Sequence, residues 1–249
     1  MDLGLNGRVA LVTGASKGIG RGIAAELVAE GAAVAISSRS RENIDATAAE
    51  IGATGFVWDS SDIDGAPRLL RDVESALGPI DVLVCDTGGP PAGPSALAFS
   101  REQWEAAYHE LVLAPMALVE RAAEGMRRRE WGRILNVVST TVREPNPALM
   151  LSNTHRAAML AAFKTVSTEV AKDGVTLNSI LPGRIATERM FSLYGSQEAA
   201  DEAGRTEVPA GRLGTVAEMA ATAAFLVSDR ASYITGQWLA VDGGVLKSI

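Results

Sequence analysis

Eight residues near the amino terminus, Thr13-Gly14-Ala15-Ser16-Lys17-Gly18-Ile19-Gly20, constrain this chain more than any other stretch. They follow Arg8 to Val12, a run with the length and branched content of a buried strand. They lead into Ile19 to Ala29, where apolar residues recur at helical spacing. A glycine-rich turn from strand into helix brings bare backbone N–H groups and a helix N-terminus up to a phosphate. A Cβ would obstruct both the tight turn and the pyrophosphate, so glycine is required there. The spacing is G-x-x-x-G-x-G, not the common G-x-G-x-x-G, and the Lys-Ser/Thr ending of a P-loop is missing. As an isolated string it would also fit a structural turn; between this strand and this helix it predicts a dinucleotide cradle.

The rest of the chain repeats the same alternation. Strand-like runs fall at 8–13, 33–37, 55–58, 80–85, 132–138, 174–179 and 237–241. Helical spacing marks 18–30, 41–51, 65–77, 101–128, 152–172 and 215–228, with a short helix near 196–204. Strands alternating with helices predict a parallel sheet covered on both faces, and the near-continuous Val, Ile, Leu and Ala of the strands suit it. The expectation is an α/β fold: one Rossmann-type, doubly wound domain of about seven strands spanning 1–249, with no linker or internal repeat. Two stretches interrupt the regularity. Gly88-Gly89-Pro90-Pro91-Ala92-Gly93-Pro94 must be a stiff loop. Residues 184–214, rich in glycine around a short helical patch, form a long connection of the kind that covers a substrate. Both emerge beyond the carboxyl ends of strands, where ligands bind in such sheets.

Charge and cysteine content narrow the function. A net charge of −7 and the lack of a dense basic run argue against nucleic acid. Arg127-Arg128-Arg129 reads as a solvated helix end that complements the dipole. The single cysteine, Cys85, excludes an internal disulfide and a cysteine-based zinc site, and no metal is expected. No apolar run approaches the roughly 20 residues that span a bilayer, and a strand starts close to the first residue, so no signal peptide is expected. A soluble, cytoplasmic protein is the expectation.

In order and spacing these motifs resemble the short-chain dehydrogenase/reductase family over essentially the whole chain. Thr13–Gly20 matches the family's cofactor loop. Asp59, with Ser60, follows the third strand where the family places an acid on the adenine side, although Asp59 would also cap the next segment. Gly132 to Ser139 resembles the fifth strand ending in the catalytic serine. Asn178 to Thr187 resembles the sixth strand and its Pro182-Gly183-x-x-x-Thr187 turn, in which Ile185 and Thr187 are implied to face the nicotinamide; Thr187 would equally serve as a helix N-cap. Asp242-Gly243-Gly244 matches the carboxyl-terminal signature. The resemblance also implies a homotetramer or homodimer, built on the fourth and fifth helices and the last strand.

The catalytic pattern departs from the family. Where its members carry Tyr-x-x-x-Lys, this chain reads Ser152-Asn153-Thr154-His155-Arg156. Ser139 lies 13 residues upstream, and Arg156 leads without gaps to Asn178, which pins the register. Ser152 thus takes the tyrosine position and Arg156 that of the lysine, while Leu111 falls where the family has an asparagine. The loop after the fourth strand is Cys85-Asp86-Thr87-Gly88. Of the family's four catalytic groups only Ser139 remains, an atypical member lacking the Tyr-x-x-x-Lys pair. A serine hydroxyl is a far weaker acid than a phenol and is shorter. His155, at i, i+3 from Ser152, is an alternative proton donor unless it packs against a neighbour. Arg156 would still bond ribose hydroxyls but does not deprotonate. Loss of a positioned acid costs roughly 10²–10⁴ in rate, so a slower reductase survives the change.

The cofactor follows from charge. Ile36-Ser37-Ser38-Arg39 ends the second strand in a cation where NAD-selective relatives carry an acid, and Lys17 lies in the glycine loop. Both suit a 2′-phosphate, which predicts NADP(H). The expected cofactor set is Gly14, Ser16, Lys17, Gly18, Ile19, Gly20, Arg39, Asp59, Ser60, Gly88, Arg156, Pro182, Gly183, Ile185 and Thr187. The expected catalytic set is Ser139, Ser152, His155 and Arg156. Three functions stay open: an NADP(H)-dependent oxidoreductase acting on a carbonyl or alcohol, resembling 3-oxoacyl-thioester reductases; a cofactor-binding protein serving as sensor or partner subunit; or non-redox chemistry in the same pocket. The substrate is expected to be small and moderately apolar, walled by 89–94, Val142 to Met150, and 188–210 with Met190, Phe191, Leu193 and Tyr194.

Overall fold

A computed structural model describes residues 1–248. Seven parallel strands form one sheet in the order β3-β2-β1-β4-β5-β6-β7. They are β1 (Val9–Val12), β2 (Ala33–Ser38), β3 (Thr54–Val57), β4 (Val82–Cys85), β5 (Gly132–Val137), β6 (Val175–Pro182) and β7 (Trp238–Val241). Every residue of β1, β4 and β5 is buried, which is why β1 and β4 read as unbroken apolar runs instead of alternating ones, while β5 also buries Arg133 and Asn136. The order reverses between β1 and β4, leaving a crevice at the carboxyl ends of the two strands.

Helices cover both faces. On one face α1 (Gly18–Ala29) and α9 (Val216–Leu226) bury Ile23, Leu27, Met219 and Ala223 against Val12, Val34 and Val84. On the other, α3 (Ala66–Leu77), α5 (Ala114–Arg128) and α6 (Met150–Val170) bury Leu70, Val73, Leu118, Met126 and Phe163 against Leu11, Leu83 and Ile134. The helices α2 (Arg41–Ile51), α4 (Arg101–Tyr108), α7 (Glu188–Tyr194) and α8 (Gln197–Glu207) complete the chain. Among the described residues no helix is long and apolar enough to cross a membrane.

Two local differences from the periodicity matter for the site. The expected helix 101–128 is two helices joined by a π-helical turn at His109–Leu113. Pro115 has no N–H to give the carbonyl one turn back, so the regular ladder fails just there. The second is α7, too short for its spacing to register. Thr187 caps it, accepting from Met190 N at 3.3 Å, and Gly195 ends it in the left-handed region at φ 84°.

Candidate active site

A cavity of about 850 Å³ opens beyond the carboxyl ends of β1, β4, β5 and β6. One end is walled largely by the β1–α1 turn. Gly14, Ser16, Lys17, Gly18 and Ile19 line it, with Ser38 and Arg39 from the end of β2 and Trp58 and Ser60 after β3. Gly14 stands at φ +61°, and a Cβ there would come within 2.5 Å of the Asp86 carbonyl oxygen. Only glycine takes that conformation in that space without moving the chain. Arg39 enters no ion pair among the described residues, so its guanidinium stays open to an anion.

The other end is built from side chains. Ser139 ends the strand–loop transition after β5, and Ser152 and Arg156 project from the first turns of α6. Arg156 is 7% exposed, and its guanidinium is nearly used up. Nε donates to Ser152 Oγ at 3.2 Å, Nη1 to the Val137 carbonyl at 2.7 Å, and Nη2 to the Thr87 carbonyl at 3.0 Å and that of Gly88 at 3.4 Å. One planar cation thus ties the ends of β4 and β5 to the serine hydroxyl, as the fork geometry of arginine permits. Burial pulls the Arg156 guanidinium down to about 10 while nearby Asp86 works the other way, and it remains charged at neutral pH. Ser139 Oγ accepts from Thr141 N at 3.2 Å and lies 3.0 Å from Thr141 Oγ1. It is therefore a local cap and a cavity-facing hydroxyl at once.

Two ties hold the outer wall. Arg189 on α7 donates to the carbonyls of Gly89 and Pro90, each at 3.3 Å, which fastens the 184–214 segment to the proline-rich loop. Glu144 Oε1 accepts from the N–H groups of Lys247 at 2.6 Å and Ser248 at 3.0 Å, which places Val245 and Leu246 in the wall. Arg184 Nε donates to Tyr194 Oη at 3.0 Å, and its far end pairs with Glu207.

Most of the residues singled out from the sequence meet at this cavity: Ser139, Ser152, Arg156, Gly14, Ser16, Lys17, Gly18, Ile19, Arg39, Ser60, Gly88, Pro182, Gly183, Ile185 and Thr187. Several are placed differently. His155 is 6% exposed and lies off the cavity, its ring centroid 5.4 Å from Trp104 and 6.2 Å from Tyr108. Its Nδ1–H donates to the Leu151 carbonyl at 2.7 Å, an interaction within its own helix. It packs between α6 and α4 and does not line the cavity, the alternative that its spacing left open. Asp59 turns away as well: its Oδ1 accepts from Ser61 N at 2.9 Å, and Trp58 and Ser60 line the wall instead. Gly20 is buried behind the cradle, against Asp86. Lys17 reaches the rim but is engaged with Glu188 on α7 at 2.8 Å. Phe191 does not line the wall, whereas Met190, Leu193 and Tyr194 do.

Some lining residues carry no sequence signal. Leu111 is 2% exposed in the core, and the π-helical turn presents Glu110 to the cavity in its place. A break in helical phase is invisible to spacing alone. Asp86 also lines the cavity, and burial lifts its carboxyl to about 7 against the opposing pull of Arg156 and Arg189. The residue itself stands in plain view in the sequence, but its titration depends on burial. The Cys85 thiol, buried beneath it, is pushed up to about 12.

A family model described as Enoyl-(Acyl carrier protein) reductase matches residues 14–246. The chain belongs to the short-chain dehydrogenase/reductase family. Its curated relatives include the NADPH-dependent reductase BacG of Bacillus subtilis (strain 168), 33% identical, with 97% of this chain and 99% of BacG covered. The 3-oxoacyl-[acyl-carrier-protein] reductase FabG of Haemophilus influenzae is also 33% identical, with 98% of this chain and all of FabG covered, 100%. Among solved structures, L-sorbose reductase from Gluconobacter frateurii, complexed with NADPH and L-sorbose, superimposes with a TM-score of 0.93. It is 29% identical, and each chain is covered to 100%.

Proposed function

We propose that this protein is an NADP(H)-dependent oxidoreductase that reduces the carbonyl group of a small, moderately apolar molecule, with Ser152 and Arg156 standing where most of the family has tyrosine and lysine. The cofactor is NADP(H), as in the NADPH-dependent and NADP-bound relatives. The residues present suit it: a glycine cradle that a Cβ would fill, bare N–H groups at a helix start, and an unpaired arginine for a 2′-phosphate. Bound there, the nicotinamide supplies the hydride.

One observation carries the chemistry: the buried Arg156 guanidinium donates to Ser152 Oγ at the cavity wall. An oxygen that accepts from a cation has its own proton free for an acceptor, and the positive charge stabilises negative charge that develops on it. Ser152 and Ser139 then offer two hydroxyl donors to a substrate oxygen, in the manner of an oxyanion site, and water supplies the proton that the reduced oxygen takes up. Arg156 cannot relay a proton and instead holds and polarises Ser152. Leu149, Met190, Leu193, Val245 and Leu246 supply the apolar part of the pocket, which supports a small and partly apolar substrate. We read residues 1–249 as one catalytic domain whose 184–214 segment covers the substrate. The half-exposed Trp238 and Leu239 on the edge strand β7 support a homo-oligomer formed there, which sedimentation or light scattering would test.

The test of the activity is single-turnover mixing of the NADPH-loaded protein with ketones, quinones and acyl thioesters. The expected result is stoichiometric oxidation of NADPH by at least one class. Tight NADPH binding with no oxidation by any of them would overturn the proposal in favour of a binding protein. Product formed without NADPH oxidation would overturn it in favour of non-redox chemistry.

A further inference from the structure

Asp86 lines the cavity behind the β1–α1 turn, and neither the hydride chemistry nor the Ser152–Arg156 pair uses it. Its backbone is fixed by the end of β1: Thr13 Oγ1 donates to the Asp86 carbonyl at 2.9 Å, and Asp86 N donates back to Thr13 Oγ1 at 3.1 Å. Its carboxyl points back under the glycine cradle. A Cβ built on Gly20 would lie 2.9 Å from Asp86 Oδ2, and the N–H groups of Gly20 and Thr87 face the carboxyl. The charged and titratable groups around it come from three elements. Arg156 on α6 and Arg189 on α7 act on it without forming an ion pair, each being committed to backbone carbonyls. Cys85 on β4 keeps its proton. The cradle itself offers no cation inward, since Lys17 is paired with Glu188 at the surface.

A carboxylate in this position would sit beneath the phosphates of any dinucleotide held by the cradle. Like charges at short range in a poorly solvated site raise the pKa of whichever group can take a proton. A protonated carboxyl removes that repulsion and adds an O–H donor. We propose that Asp86 is a positioning residue behind the cofactor cradle that works as a neutral carboxylic acid, taking up a proton as NADP(H) binds and so removing a negative charge from beside the phosphates. This inference rests on the reading of the cavity as an NADP(H) site. Burial outweighs the Gly20 and Thr87 N–H groups and the two guanidiniums, all of which favour the charged form, and holds the carboxyl at about 7, so binding has only to carry its protonation further.

The experiment is calorimetric titration of the full chain with NADPH at pH 7, in buffers of different ionisation enthalpy. Net proton uptake on NADPH binding is expected, with affinity weakening by up to about tenfold per pH unit above 7. A 2′-phosphate with its second pKa near 6 would release protons on meeting Arg39, so its contribution has the opposite sign. Repeating the titration with NADH removes it. Asp86→Asn should bind NADPH without proton uptake and with a flat affinity from pH 7 to 9. Wild-type binding independent of buffer for both dinucleotides would overturn the inference, as would uptake that persists in Asp86→Asn. Should that variant fail to fold, the wild-type buffer dependence decides alone. If neither dinucleotide binds, the cofactor reading itself fails, and the inference with it.

Discussion

The two ends of the cavity are made of different material. The cradle at 13–20 is backbone: a tight turn, a helix start and glycines whose absent side chains leave room. The chemical end is built of side chains, with Ser152 set by Arg156 and Arg156 set by three carbonyls at the ends of two strands. Backbone recognition depends on a short contiguous string and tolerates change elsewhere. Side-chain constellations are assembled from distant segments, so one substitution alters what the site does without altering what it binds. The same fold can therefore keep its cofactor while its proton chemistry changes.

Three substitutions would break or sharpen this contrast. The largest effect is expected from Ser152→Ala. It should lower the rate of NADPH oxidation by roughly 10²–10⁴ while leaving NADPH affinity unchanged in titration, since the hydroxyl belongs to the chemical end alone. Unchanged turnover would mean that Ser152 is only a lining residue. Arg39→Ala should act in the mirror sense. It should weaken NADPH binding by roughly 10- to 100-fold, the worth of a charge-assisted hydrogen bond of about 1.5–3 kcal/mol, with little effect on NADH binding or on the bound-state rate. Equal losses for both dinucleotides would assign Arg39 a general role in place of phosphate selection. The smallest catalytic effect is expected from His155→Ala. With the ring wedged against Trp104 and Tyr108, this change should lower stability by about 1–3 kcal/mol in thermal or denaturant unfolding, with turnover preserved in the folded protein. Lost turnover at unchanged stability would restore His155 as the proton donor.

The misplacements share a cause. His155 and Ser152 are three apart on α6, near enough to count as one face, yet the helix lies in a groove where a shift of that angle moves a side chain from the cavity to the α4 interface. Position after a strand points to Asp59, yet its carboxyl accepts from Ser61 N and leaves the wall to Trp58 and Ser60. The phase break at His109–Leu113, with Pro115 as its visible origin, exchanges Leu111 for Glu110. By contrast, Gly14, Gly18, Arg39, Pro182 and Gly183 all line the cavity, because each is tied to the end of a strand whose place in the sheet its apolar run dictates.

The sequence by itself determined the architecture and the ligand-binding turn. A buried parallel strand needs a continuous apolar run, and a phosphate cradle needs contiguous glycines, so both are local and both are written in order. Only the tertiary structure decided which polar groups share the cavity: that Arg156 spends its guanidinium on Ser152 and on the ends of two strands, that His155 turns away, and that Asp86 lies close enough to the cradle for burial to carry its carboxyl to about 7. Desolvation and hydrogen-bond partnership are properties of what surrounds a group in space, and the chain order alone does not contain them.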